Sequence, residues 1–170
     1  YSPTSSRYVT DLLSDAVTLA AYDIVFFDCG FADGFLRSAP PAVWDNLRSF
    51  VQDGGSIYAS DWAYEAIRLV FPGSLDFYGD DAQPAAARVG ALSLTLGASV
   101  VDASLGGVLG QSNVELVYNK GSWVVLGAVQ AAAVKVWVRG PVGVDADADG
   151  TTETSLTDVP LLVSLPYGQG

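Results

Sequence analysis

Two short apolar runs separated by an amphipathic stretch constrain the fold of this 170-residue chain most strongly. The runs occupy 24–27 and 56–60, and both are rich in β-branched and aromatic residues. Runs of this length and composition are typical of strands buried on both faces of a parallel sheet. Between them, apolar residues recur at helical spacing, after a Pro-Pro pair and before a Gly-Gly pair, at Val43, Trp44, Leu47, Phe50 and Val51. The order strand, helix, strand predicts a right-handed βαβ unit.

The flanking segments extend this pattern and then change it. Apolar spacing predicts one helix near 6–20 and another that starts at Ser60 or Asp61 and ends before 71–73. Beyond a loop over 74–90, the apolar residues alternate with polar ones instead of forming runs. This alternation predicts a hairpin of 114–118 with 123–126, and strands at 134–138 and 160–165. The sequence therefore predicts an α/β protein with a parallel first half and a β-rich C-terminal half.

Composition excludes several classes of chemistry. The chain contains no histidine and one cysteine, Cys29. It therefore supplies no Ser-His-Asp triad, no Cys-His pair, no His-ligated zinc site and no intrachain disulfide. We expect no catalytic role that depends on these groups.

The charge of the chain argues against nucleic acid as a partner. The formal net charge is −11, and the eight Lys and Arg residues are scattered singly rather than gathered in a stripe. No stretch is apolar and long enough for a transmembrane span. Because methionine is absent, we expect a processed product or a fragment of a longer chain. Export followed by processing predicts an extracellular or periplasmic location.

The strongest local motif is an acidic loop at 145–153. Asp145, Asp147 and Asp149 alternate with alanines and are followed by Gly150, which resembles the first half of an oxygen-rich calcium loop. The ligand candidates are Asp145, Asp147, Asp149, Thr151, Glu153 and Asp158. Oxygen ligands without His or Cys select a hard ion, and the sequence therefore predicts Ca²⁺ as the cofactor.

This loop departs from an EF-hand in two respects. The twelfth position, where an EF-hand has a bidentate glutamate, holds Leu156, and the flanking segments are not helical. Asp158 is a substitute ligand from outside the standard spacing. The alternative interpretation is a solvated acidic hairpin loop that binds no ion.

A second candidate site is the crevice at the carboxyl ends of the two predicted parallel strands, where ligands bind in open α/β sheets. Asp28 and Cys29 follow the first strand, and Asp61 and Trp62 follow the second. Cys29 is either a nucleophile or a packed side chain. Asp61 is either a base or ligand, or the N-cap of the next helix. Trp62 either lines a pocket or packs on the sheet.

Three stretches resemble the class I glutamine amidotransferase-like superfamily, and the last of them its ThuA-like branch. They are YDIVFFDCG at 22–30, FVQDGGSIYASD at 50–61 and LLVSLPYGQG at 161–170. The resemblance implies a flavodoxin-like three-layer fold with a parallel central sheet, and one amidotransferase-like α/β domain over 1–170. Where active members carry the nucleophilic Cys, this chain has Ser60-Asp61-Trp62, and the family's His and Glu find no matched positions. The resemblance therefore implies the fold without amidotransferase activity.

The leading functional hypothesis is a non-catalytic binding or structural domain of an exported protein, stabilised by calcium. Its partner would be an unidentified protein or a carbohydrate. One alternative is a hydrolase that uses Asp61, Cys29 or a bound metal. The other is a subunit of an extracellular assembly, in which copies of the chain pack against one another.

Overall fold

The computed structural model describes residues 6–29, 38–83, 86–92, 94–119 and 121–170. The chain divides into two compact units. The α/β unit comprises Tyr1–Pro72 and Pro166–Gly170, and the β unit comprises Gly73–Leu165. None of the described helices is long and apolar enough to cross a membrane.

The α/β unit has the predicted order of helices and strands, except that two helices separated at Asp15 stand where one helix near 6–20 was predicted. Its elements are α1 (Ser6–Ser14), α2 (Ala16–Leu19), β1 (Ile24–Phe27), α3 (Pro41–Gln52), β2 (Ser56–Ala59), a 3₁₀ helix (Asp61–Ala63) and α4 (Tyr64–Val70). Strands β1 and β2 pair in parallel, with Ile24 opposite Ser56 and Phe27 opposite Ala59. The predicted βαβ unit is confirmed. The apolar residues of α3 are buried in the core of this unit, as their spacing predicted.

Burial of β1 on both faces was a wrong prediction. Phe27 is 1% exposed, whereas Phe26 is 66% exposed and Ile24 is 47% exposed. Successive side chains of a strand point to opposite faces, and therefore one face of this two-stranded sheet is covered and the other is open. The apolar run predicted the strand correctly but not its surroundings.

The flavodoxin-like fold is also contradicted. Among the described residues, the parallel sheet has only the two strands β1 and β2, and all other strand pairs are antiparallel. A parallel central sheet needs a long crossover, usually a helix, between successive strands. Alternating segments with one polar face are typical of antiparallel sheets, and the second half of the chain has this pattern.

The β unit confirms the predicted β-rich C-terminal half. Its elements are β3 (Leu75–Phe77), β4 (Leu94–Val100), α5 (Ala103–Leu109), β5 (Asn113–Tyr118), β6 (Leu126–Val129), β7 (Lys135–Val144) and β8 (Thr154–Ser164). Four strands form an antiparallel sheet in the order β5-β4-β7-β8, and β3 pairs with β6. Strand β3 lies within the segment predicted to be a loop.

The predicted hairpin of 114–118 with 123–126 is wrong. Strand β5 pairs with β4, with Leu94 opposite Tyr118, and β6 pairs with β3, with Leu75 opposite Val129. Alternation specifies which face of a strand is buried, but it does not specify the neighbouring strand. Several strands with the same alternation compete for each partner.

Trp123 lies at the centre of the β unit's core. It is 2% exposed and packs in a cluster of buried residues made of Val89, Leu96, Val125, Val142, Val144 and Val159. Its indole Nε1 donates a hydrogen bond of 2.8 Å to the carbonyl of Ala91. Its ring stacks on Tyr118 with a centroid distance of 4.1 Å. The polar atom of the largest core residue is thereby satisfied.

Gly90 permits this packing, because a Cβ at that position would overlap the Trp123 ring. We predict that Gly90→Ala lowers the free energy of unfolding by about 1–3 kcal/mol through overpacking. Gly97→Ala in β4 is the matched control, since a Cβ there meets no atom within 4 Å. It should be neutral or stabilising by up to about 1 kcal/mol. Urea denaturation measures both, and equal effects of the two substitutions would contradict this account of the core.

Candidate metal centre

The acidic loop 145–153 closes the hairpin of β7 and β8. The ladder between these strands runs from Lys135 opposite Ser164 to Val144 opposite Thr154. Past the last pair, the Glu153 amide donates to the Val144 carbonyl at 2.9 Å. The Asp145 amide donates to the Val89 carbonyl at 2.8 Å. Both ends of the loop are therefore fixed by backbone hydrogen bonds.

Four carboxylates converge in this loop. Asp145, Asp147, Asp149 and Glu153 each offer an oxygen, and these oxygens all lie within 4.8 Å of one another. Asp145 is 4% exposed, whereas the other three side chains are exposed. The group therefore has one buried carboxylate at its base and three on the solvent side. This geometry could hold a metal ion.

Backbone amides of the loop orient the carboxylates. Asp145 accepts hydrogen bonds from the amides of Asp149, at 3.1 Å, and of Gly150, at 2.9 Å. Glu153 accepts one from the amide of Ala146 at 2.7 Å. Each carboxylate oxygen has two lone pairs, and acceptor capacity for a cation therefore remains.

The chain turns tightly between the second and third aspartates. Ala148 has φ +61° and Gly150 has φ +90°. Glycine adopts this left-handed conformation without steric cost, which explains its place after the third aspartate. Alternate side chains are thereby directed toward one point, as the spacing predicted.

Thr151 holds Asp149 in its ionised form. Hydrogen bonds from the Thr151 hydroxyl, and secondly from its amide, lower the pKa of Asp149 below its usual value. The amide bond measures 2.7 Å. A carboxylate that accepts hydrogen bonds is stabilised in its charged form. Thr151 therefore supports the acidic group as a hydrogen-bond donor.

Two residues at the far end of the motif lie apart from this group. Asp158 lies in β8, where its Oδ2 accepts a hydrogen bond of 2.9 Å from Arg139 Nη1. Leu156, at the twelfth position, stands opposite Val142 and packs against the core. Arg139 is the last basic residue of the sequence. The structure gives Asp158 an ion pair instead of a place in the acidic group.

A second acidic group was not found from the sequence. Asp76 of β3, Asp80 and Asp81 each offer an oxygen, and these oxygens lie within 4.8 Å of one another. Asp80 and Asp81 fall in the predicted loop over 74–90, and their spacing predicted no ligand role. The chain returns toward β3 at Gly79, which has φ +92°. The Asp80 amide donates to the Phe77 carbonyl at 3.3 Å across this turn, which brings Asp80 and Asp81 back toward Asp76.

The crevice residues do lie at one edge of the small parallel sheet. The Ser60 amide donates to the Phe27 carbonyl at 3.2 Å, which holds the carboxyl ends of β1 and β2 together. Asp28 is exposed, and Cys29 and Trp62 are half-buried. Residues 30–37, which follow in the sequence, lie outside the described part of the chain.

Asp61 does not cap a helix, contrary to one of its two interpretations. It is the first residue of the 3₁₀ helix, and Ser60 occupies the cap position without a side-chain cap hydrogen bond. Asp61 has φ +47°, an uncommon conformation for a residue other than glycine. Strained residues of this kind occur often at functional sites. The hydrolase alternative at Asp61 or Cys29 stays a prediction.

No protein-family model, no curated protein and no solved structure matches this chain. The amidotransferase-like resemblance therefore stays a prediction that rests on the three stretches alone. Its implied parallel central sheet is contradicted by the two-stranded sheet described above. The acidic loop is consequently the feature whose chemistry carries most information about function.

Thr151→Val removes the hydroxyl donor to Asp149 and keeps the amide. We predict that this change raises the pKa of Asp149 toward its usual value, measured by NMR titration of the carboxyl carbons. The depressed pKa stabilises the fold above the pKa of the unfolded chain, and this contribution is lost as the pH falls through the folded value. Thr157→Val, on the exposed part of β8, is the control. An unchanged Asp149 titration in Thr151→Val would contradict the assignment.

Proposed function

We propose that the loop 145–153 binds Ca²⁺ and that the ion stabilises the β unit, as part of an exported protein with a structural or binding role. The observation that carries this proposal is the convergence of four carboxylate oxygens within 4.8 Å. Carboxylates this close repel one another unless a positive charge lies between them. A divalent cation converts this repulsion into attraction.

The donor set favours calcium among the metal ions. All candidate ligands of the loop are oxygens, the chain has no histidine, and its single cysteine lies in the other unit. Oxygen-only sites suit hard cations. Calcium takes six to eight oxygens in flexible geometry, whereas magnesium demands a near-ideal octahedron. Apart from the buried Asp145, the residues of this nine-residue loop are exposed, and they can also offer carbonyls and admit water. Such a loop meets the requirements of calcium better than those of magnesium.

The affinity expected of this loop fits an extracellular ion supply. With Leu156 packed against the core, the loop lacks the bidentate glutamate that completes an EF-hand. Calcium sites in extracellular modules bind with dissociation constants of about 10⁻⁴–10⁻³ M. We expect this loop to bind in that range, which would suit the calcium supply of the expected extracellular or periplasmic location.

The position of the loop indicates what the ion would stabilise. Strands β7 and β8 have ten and eleven residues, the longest in the β unit as described. They carry Val142, Val144 and Val159 into the core around Trp123. An ion bound to Asp145 and Glu153 would link the end of β7 to the start of β8. Calcium would thereby restrain the hairpin that supplies much of this core.

Chelation should lower the melting temperature of the protein. In about 10 mM calcium, a site with a dissociation constant of about 10⁻⁴–10⁻³ M that exists only in the folded state stabilises the protein by about 1.4–2.7 kcal/mol. For a chain of this size, the loss on chelation corresponds to roughly 3–10 °C. Scanning calorimetry in about 10 mM calcium, with and without an excess of chelator, measures the shift.

Two aspartate substitutions distinguish the loss of a ligand in the loop from a general effect of removing negative charge. Asp147→Ala should abolish the response to chelator, because it removes one of the four carboxylates and leaves no ligand oxygen in its place. Asp158→Ala removes the same charge beside Arg139 and should leave the response intact. A melting temperature that does not change on chelation would support the alternative interpretation, a solvated acidic hairpin loop that binds no ion. Equal loss of response in both variants would also contradict the proposal.

A further inference from the structure

Among the described residues, the small parallel sheet presents an open apolar face. We define the open face as Tyr22, Ile24, Phe26 and Tyr58, which are 43%, 47%, 66% and 50% exposed. Ile24 and Phe26 share one side of β1, because side chains alternate along a strand. Tyr58 stands opposite Phe26 in the register, and the two rings are 5.5 Å apart. Ile24, Phe26 and Tyr58 therefore form one surface, and Tyr22 precedes it in the chain.

An uncovered face is unusual for a parallel sheet. Such sheets normally carry helices on both faces, and their strands are apolar throughout for this reason. The sequence of β1, Ile24–Phe27, has that composition. The opposite side of β1, which includes Phe27, is covered by other residues of the α/β unit, since Phe27 is 1% exposed. The composition of the strand thus suits a helix on the open face as well.

An acidic cleft adjoins the open face at Tyr22. Its volume is about 300 Å³, and its lining includes Tyr22, Asp23 and Asp53. Both aspartates are exposed, and the described lining residues include no Lys or Arg. The chain as a whole carries a net charge of −11. A side chain that enters this cleft meets negative charge.

We propose that the open face and the acidic cleft together bind an amphipathic α-helix of another protein. The apolar stripe of that helix covers Phe26 and Tyr58, and a Lys or Arg beside the stripe enters the cleft near Asp23 and Asp53. Helices dock by such an apolar face, and opposite charges at the rim fix partner choice and orientation. The partner is therefore basic as well as amphipathic.

The size of the open face argues against a second copy of this chain as the occupant. The four side chains expose roughly 400 Å² in total, within the range of functional patches on monomers. A stable protein–protein interface buries about 800 Å² on each partner. Two copies would also bring together the same acidic clefts and the same net charge of −11. A single short helix matches both the area and the charge.

A designed peptide tests the proposal directly. The probe is a fluorescent 14-residue peptide of leucine and lysine with leucines at helical spacing, and its control has the same composition in scrambled order. Fluorescence anisotropy should show binding of the amphipathic peptide, with affinity about tenfold lower in Phe26→Ser and in Tyr58→Ser. Val17→Ser is the control variant, since Val17 is 84% exposed in the same unit and outside the open face. It should bind as the unchanged protein does.

The acidic cleft is tested in the same assay. Asp23→Asn combined with Asp53→Asn should weaken binding and reduce its dependence on salt, whereas Asp11→Asn, an exposed aspartate of α1, should not. Equal binding of the scrambled peptide, or no effect of Phe26→Ser and Tyr58→Ser, would overturn the proposal. A dimer in sedimentation experiments that Phe26→Ser dissociates would overturn it in favour of a second copy. Circular dichroism confirms that each variant is folded.

Discussion

Electrostatic repulsion among Asp145, Asp147, Asp149 and Glu153 is the constraint on which the end of the β7–β8 hairpin depends. The backbone of the loop stabilises part of this negative charge, because the amides of Asp149, Gly150 and Ala146 donate hydrogen bonds to these carboxylates. Amide donors stabilise each charge but do not remove the repulsion between charges. The nearest preceding cation in the sequence, Arg139, is engaged by Asp158. The proposed cation would complete the balance, and its binding would link the acidic loop to the stability of the core around Trp123.

The features predicted correctly are those whose residues are close in sequence. Helix α3 and strands β1 and β2 follow from local spacing and from the residues that start and end them. The acidic loop also follows, because alternate side chains on a tight turn at Gly150 point to one place. The ladder that fixes the ends of this loop then brings Glu153 to the three aspartates. In these segments, the local pattern and the final structure agree.

The features that sequence reasoning missed depend on contacts between distant segments. Nothing in the alternation of β5 selects β4 over a nearer strand, and the hairpin prediction failed for this reason. Asp158 was a plausible ligand until the register of β7 and β8 placed it beside Arg139. The composition of β1 predicted burial on both faces, whereas Phe26 is exposed. That disagreement is informative, because it identifies an exposed surface with the apolar composition of a protein interior.

Titration calorimetry with calcium decides whether the acidic loop is an ion site. We expect calcium to bind with a dissociation constant of about 10⁻⁴–10⁻³ M, magnesium to bind more weakly at the same concentrations, and Asp147→Ala to lose this calcium binding. Asp158→Ala should bind as the unchanged protein does. Absence of calcium binding at millimolar concentration, or unchanged binding in Asp147→Ala, would contradict the proposal.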